Sequence, residues 1–220
     1  MKKILILVAA ILTSAAISNS QNINWRSFQD QKHVVTLNFG LDYGSSIGVG
    51  YGYKFKTRLM PILVNTEFSI PAGNDIFDDF KLKIGGQSEV AHLGNFSATV
   101  RAYGIIRHYH SDLVKIMNYG SELSAVAGYY KNKWYAAGEF GFDKAITSHI
   151  RNSEEMKGQY PDIKDGWYIP SGGNYFYGIQ TGYSFRTIDV TLKGGKTMSQ
   201  GFRTSALLPY YLQVGLNKRF

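Results

Sequence analysis

The sequence predicts an all-β protein: a closed antiparallel transmembrane β-barrel of about ten strands (eight to twelve), preceded by a signal peptide. Three observations predict it. Apolar residues recur at every second position through most of the chain, the repeating stretches run to roughly 10–15 residues, and the connections between them alternate between short and long.

The opening segment sets the compartment. Met1, Lys2 and Lys3 precede an apolar or small run from Ile4 to Ile17, followed by Ser18, Asn19 and Ser20. A positive start, an apolar core of about fourteen residues and small residues flanking the cut are the features of a secretory signal peptide, with cleavage expected after Ser20. The apolar core is shorter than the roughly 18–20 residues a spanning helix requires. Residues 1–20 are therefore read as signal peptide and 21–220 as one outer-membrane β-barrel domain, since no linker or charge block divides them.

Cysteine is absent, so neither a disulfide framework nor the acylated thiol of a lipoprotein is expected. The net charge of +8 falls to +6 without Lys2 and Lys3. Basic residues such as Lys54, Lys56, Arg58, Lys131, Lys133, Lys218 and Arg219 are scattered through strands and turns. A nucleic-acid partner calls for a basic stripe and for access to the cytoplasm, so none is expected.

The clearest alternation is Ile47, Val49, Tyr51, Tyr53, Phe55 against Ser46, Gly48, Gly50, Gly52, Lys54. Equivalent apolar faces precede and follow it: Val35 to Tyr43, Ile62 to Ile70, Phe80 to Ile84, Phe96 to Ala102, Leu123 to Tyr129, Trp134 to Phe142, Tyr175 to Phe185, Ile188 to Leu192 and Tyr210 to Phe220. Such strands survive in hydrocarbon only when the sheet closes on itself, because lipid offers no hydrogen-bond partner to a free edge. Presumed inner turns fall near 56–60, 91–95, 130–133 and 185–188, and outer connections near 71–78, 110–118, 149–173 and 199–206, with a tight one around Gly44 and Ser45. Short turns on one side and longer loops on the other are the outer-membrane arrangement.

The final strand, Tyr210, Leu212, Val214, Leu216 and the terminal Phe220, resembles that of the outer-membrane barrel superfamily, which ends in an aromatic residue. The resemblance implies a bacterial outer-membrane location, and it implies that these residues are the signal read by the barrel-assembly machinery. Lys218 departs from the pattern, at a place the family usually gives to an apolar residue. A secreted β-sandwich or lipocalin-like barrel would also alternate, but sixteen Tyr and thirteen Phe near strand ends suit interfacial aromatic girdles better than a soluble core.

If the apolar faces meet lipid, the alternate positions line the lumen: Asp42, Glu67, Lys81, Lys83, Glu89, Arg101, Arg107, Glu122, Glu139, Asp143, Asp189 and Lys193. Both signs are present, which predicts a paired network filling the barrel; a polar conduit is the alternative. Gly48, Gly50 and Gly52 leave room either for opposing side chains or for a solute.

Some barrels of the superfamily are lipid A deacylases, acyltransferases or proteases. The weak catalytic candidates here are His108, His110 and Ser111, beside Tyr109 and Asp112. Adjacent strand residues face opposite ways, so His110 and Ser111 cooperate only if the strand has already turned, and the His-x-Ser-Asn pattern of the deacylases does not occur. No cofactor is expected, and no metal site either: His108 and His110 lack a third ligand, and Asp75, Asp78 and Asp79 lack calcium-loop spacing.

The segment from His149 to Gly173, with Glu154, Glu155, Asp162, Asp165, Trp167 and Tyr168, is the largest prospective contact surface, or else a lid over the mouth. The functional expectation is a structural or binding barrel with a mainly filled lumen, meeting outer-membrane lipid and lipopolysaccharide. The alternatives are a small porin-like solute channel and a lipid A deacylase-like hydrolase, and the sequence leans towards a protein that is not an enzyme.

Overall fold

A computed structural model describes residues 22–28, 30–41, 45–72, 78–200 and 205–220. The expected signal peptide, together with Asp42 and Asp75, lies outside the described residues. Among the described residues the strands are β1 (His33–Leu41), β2 (Ser45–Lys56), β3 (Pro61–Pro71), β4 (Asp79–Leu93), β5 (Phe96–His110), β6 (Val114–Tyr130), β7 (Trp134–Asn152), β8 (Gly166–Tyr168), β9 (Gly173–Phe185), β10 (Ile188–Ser199) and β11 (Ser205–Arg219), with one short helix, α1 (Glu154–Gln159). Each wall strand pairs antiparallel with its neighbours, and β11 returns to β1 in a register running from Val34↔Arg219 to Leu41↔Leu212. Ten strands close the wall. The eleventh, β8, pairs with β7 over Ser148–Ile150, beyond the Trp134–Lys144 stretch that β9 occupies.

The alternation sorts in the reverse sense to a soluble barrel. Val49, Val64, Ile84, Val100, Leu123, Ile179, Leu192 and Val214 face outward, whereas Glu67, Lys83, Arg101, Glu122, Glu139, Asp189, Lys193 and Arg219 are each at most 5% exposed inside. That polarity fits an apolar surrounding and excludes the lipocalin-like alternative, whose apolar face would turn inward. Aromatic pairs gather at both ends of the outer wall: Tyr53–Phe55, Phe96–Tyr129, Tyr129–Trp134 and Tyr183–Phe185 at the end bearing the termini, and Phe68–Phe80, Phe140–Tyr175 and Tyr119–Trp167 towards the other.

Four short turns, 57–60, 94–95, 131–133 and 186–187, share one end with the termini, which we call the turn end; the strand ends at Pro71 and Asp79, the segment 153–172, and the strand ends at Ser199 and Ser205 lie at the opposite, loop end. One expected outer loop contracts. The 110–118 connection is only 111–113, because β6 begins at Val114 and Ser111 closes the turn, its N–H reaching the Val114 carbonyl at 2.9 Å. β6 and β7 consequently run to 17 and 19 residues and project past their neighbours, with a bulge at Tyr119/Gly120.

Candidate functional site

The lumen is filled in two tiers. In the middle, Glu139 of β7 receives Lys193 Nζ of β10 at 3.0 Å, the Tyr211 hydroxyl of β11 at 2.6 Å and Arg101 of β5 at 3.6 Å. Lys83 of β4 pairs with Glu122 of β6 at 2.6 Å, and its ammonium sits 4.9 Å from the Tyr103 ring centre. Asn38 donates to Glu67 at 3.3 Å. Each strand delivers its member inward because its period is two, and wall curvature brings distant strands within reach. The small residues that face these groups are already taken up: a Cβ on Gly48 would stand 3.1 Å from Glu67 Oε1, and one on Gly141 would lie 2.2 Å from the Phe176 ring.

At the turn end, residues 22–28 fold into the mouth as a stopper. Ile23, Trp25 and Phe28 form a buried cluster with Val34 and Leu63. Their polar neighbours bind the wall all round. Asn24 donates to the Lys131 carbonyl (2.9 Å) and Ser184 (3.1 Å), Trp25 Nε1 to Thr99 (3.0 Å), Arg26 to the Gly94 carbonyl (2.9 Å), and Asn217 to the Asn22 carbonyl (2.6 Å). From the wall, Lys54 reaches the Phe28 carbonyl and Arg219 the Ser27 carbonyl, while Arg219 also holds Asp189 at 3.0 Å. Sequence reasoning missed this element. Its one signal is Ile23, Trp25 and Phe28, apolar bulk that follows the expected cleavage point without a sustained strand alternation.

Of the sequence-predicted lumen charges, Glu67, Arg101, Glu122, Glu139 and Lys193 stand in or beside the central network. Arg107 lies nearer the loop-end mouth, paired with Asp79 at 3.1 Å. His108, His110 and Ser111 do not assemble. His108 stacks on Phe80 (5.3 Å), His110 Nδ1 meets Asp78 at 3.3 Å, and Ser111 Oγ is used in its own turn by Val114 N–H at 3.3 Å. Among the described residues no hydrogen bond joins the serine to either histidine, and no group of three or more metal-ligating side chains occurs.

The predicted assembly-signal residues Tyr210, Val214, Leu216 and Phe220 face outward on and just after β11. Leu212, at the same parity, is half-buried. Lys218, the departure from the family pattern, donates to Thr187 at 3.0 Å at the turn end, where a charge reaches water.

The loop-end segment continues the wall instead of crossing the mouth. Ser153 caps α1 by accepting Met156 N–H at 3.2 Å, and β8 takes the free edge of β7. Asp165 ties the two together, accepting Asn152 N–H (2.8 Å) and pairing with Lys157 (3.1 Å). The Asn152 N–H, with Lys157 next, holds this carboxyl down at about 2. Since the pKa is depressed from 3.8, the anchoring is complete above that value and is lost as pH falls through about 2. A carboxyl-carbon NMR titration of the folded barrel in detergent micelles is expected to place the Asp165 midpoint near 2; a midpoint at the ordinary 3.8 would show that the tie does not hold in solution.

Further along the outer wall, at the loop end, His108, Lys115, Ile116, Met117, Tyr119, His149, Arg151 and Trp167 line a cavity of about 400 Å³.

No protein-family model matches the chain, and no characterised protein matches it in sequence. Among solved structures it is similar to LpxR from Salmonella typhimurium, at 11% identity over 94% of this chain and 80% of that one, with a TM-score of 0.32. The barrel's own geometry is what carries the fold.

Proposed function

We propose that this chain is an integral barrel of the bacterial outer membrane that does not conduct, and that it serves a structural or binding role through its loop-end surface. The observation that carries this reading is the double occlusion of the lumen, by the Glu139 and Glu122 ion pairs in the middle and by residues 22–28 at the turn end. A ten-stranded barrel is wider than the eight-stranded forms that side chains fill, so its centre needs long charged residues and its mouth a stopper. Buried charges persist there because they are paired and hydrogen-bonded. The apolar, aromatic-belted exterior supports the membrane setting.

In planar bilayers the mature protein is expected to give no steady conductance, although it migrates on gels with the heat-dependent shift of a closed barrel. Stable ohmic steps from heat-modifiable protein would overturn the filled-lumen reading in favour of a channel. A protein that folds without detergent and shows no shift would overturn the membrane reading itself.

A further inference from the structure

We propose that the outward face of β5 to β8 at the loop end is a binding site for the phosphomonoester head group of an outer-leaflet lipid. The proposal rests on the membrane reading above and names a ligand for that surface.

Two rows of side chains define the site. In the outer row, Lys115 of β6 stands directly opposite Arg151 of β7 and, on its other side, opposite His110 of β5. One step towards the middle, Met117 lies between His108 and His149, and His149 faces Trp167 of β8, their rings 4.9 Å apart. Like charges set opposite each other across strands repel, since their Cβ atoms stand about 5 Å apart. A Lys–Arg cross-strand pair is therefore a local cost unless an anion bridges it. None of the ion pairs among the described residues engages Lys115 or Arg151, and no acidic side chain lines the cavity. Two acids stand near the row: Asp78 is held by His110 at 3.3 Å, and Asp112, which shares a neighbouring pocket with Lys115 and Arg151, forms an ion pair with neither. The Nδ1 of His108 is buried without a hydrogen-bond partner.

Position selects the ligand. His108 follows Phe96 of the turn-end aromatic belt by twelve residues on β5. At about 3.3 Å per residue and a tilt near 45°, that separation spans about 28 Å of membrane normal, close to the hydrocarbon thickness. The cationic row thus sits at the far head-group level, with Tyr119 and Trp167, 6.0 Å apart, at the boundary where aromatic rings settle. Towards the middle of the wall the outward positions turn apolar, with Tyr119 and Leu123 exposed on β6, and offer acyl chains a surface below the row.

Charge selects among head groups. A phosphomonoester carries about −1.5 to −2 at neutral pH, matching two fixed cations, whereas a phosphodiester carries half that. Arg151 supplies a planar fork for two oxygens and Lys115 a mobile point charge for the third. Lipids of the lipid A type, which bear phosphomonoesters on a sugar, meet both requirements.

The test uses the full mature barrel, native mass spectrometry from detergent, and diphosphoryl lipid A, dephosphorylated lipid A and phosphatidylglycerol as probes. The wild type is expected to retain diphosphoryl lipid A at least tenfold better than the Lys115→Gln/Arg151→Gln double variant, and tenfold better than it retains either of the other lipids. Equal retention by wild type and variant, or by phosphatidylglycerol and diphosphoryl lipid A, would overturn the proposal. Thermal unfolding supplies a second reading. Without lipid the variant is expected to melt at the wild-type temperature or above, because a repulsive pair is gone; with diphosphoryl lipid A only the wild type gains. A variant that melts lower without lipid would mean the pair is structural and the site wrong. Absence of a heat-dependent gel shift in the wild type would sink the membrane reading and this site with it, whereas a folded barrel with unselective retention sinks the site alone.

Discussion

Glu139→Ala is expected to destabilise the barrel by roughly 3–5 kcal/mol, the largest effect of any single charge removal in the lumen. The carboxylate is the shared acceptor of Lys193 at 3.0 Å, Tyr211 at 2.6 Å and Arg101 at 3.6 Å. Its loss removes the carboxylate that two buried cations share, in a site where both side chains are at most 3% exposed. Water is a poor rescuer there, because the stopper closes one end and the network fills the middle. Glu139→Gln keeps an acceptor for the Tyr211 hydroxyl but not the charge, so it falls between alanine and wild type. Arg107→Ala is the control. Arg107 and Asp79 are 20% and 24% exposed near the mouth, where an ion pair is worth about 1 kcal/mol or less. Denaturant midpoints in micelles measure all three, and a loss below about 1 kcal/mol for Glu139→Ala would show that the lumen is wet and the network dispensable.

The wall of the barrel was legible in the sequence because a strand sends alternate residues to opposite faces, so each position declares its side once the period is known. Glu67, Arg101 and Lys193 were placed inside on that basis, and Val49 and Val214 outside. Partnership was not legible. Lys83 and Glu122 are 39 residues apart, and they meet only because ten strands fix the radius across which they reach. The stopper escaped for a different reason: Ile23 and Trp25 alternate once, Phe28 three residues on breaks the period, and so short a run is passed over by a strand template although the three pack as a plug. At the loop end the pattern itself ceases. Lys115, His149 and Arg151 face outward where an apolar residue is expected, which makes β6 and β7 read as loop although they remain paired strand up to Asn152. On the proposed membrane reading, the outer face past the hydrocarbon boundary no longer has to be apolar, which accounts both for the lost alternation and for the cationic row. The serine and histidines at 108–111 were adjacent in sequence, but the tight turn at 111–113 gives each its own partner.

Trp25→Ala is expected to cost about 3–5 kcal/mol, as large-to-small changes in packed cores do. The indole is only 7% exposed, packs with Ile23, Phe28, Val34 and Leu63, and donates to Thr99 at 3.0 Å. Truncation leaves a cavity and an unanswered hydroxyl at the point where the segment crosses the mouth. The bonds made by Asn24, Arg26 and the Ser27 carbonyl then hold a chain with little packing beneath it. Unfolding midpoints within about 1 kcal/mol of wild type would show that the segment is an ornament on a self-sufficient wall. Conductance separates the two tiers. Removing residues 22–28 opens the turn-end mouth but leaves the Lys83–Glu122 and Lys193–Glu139 pairs across the middle, so the truncated protein is expected to stay silent, as is Glu139→Ala alone. Combining the truncation with Glu139→Ala removes both the stopper and the keystone of the network, and fluctuating conductance is expected only from that combination. Steady current from the truncation alone would place the whole barrier at the turn end and reduce the central ion pairs to lining.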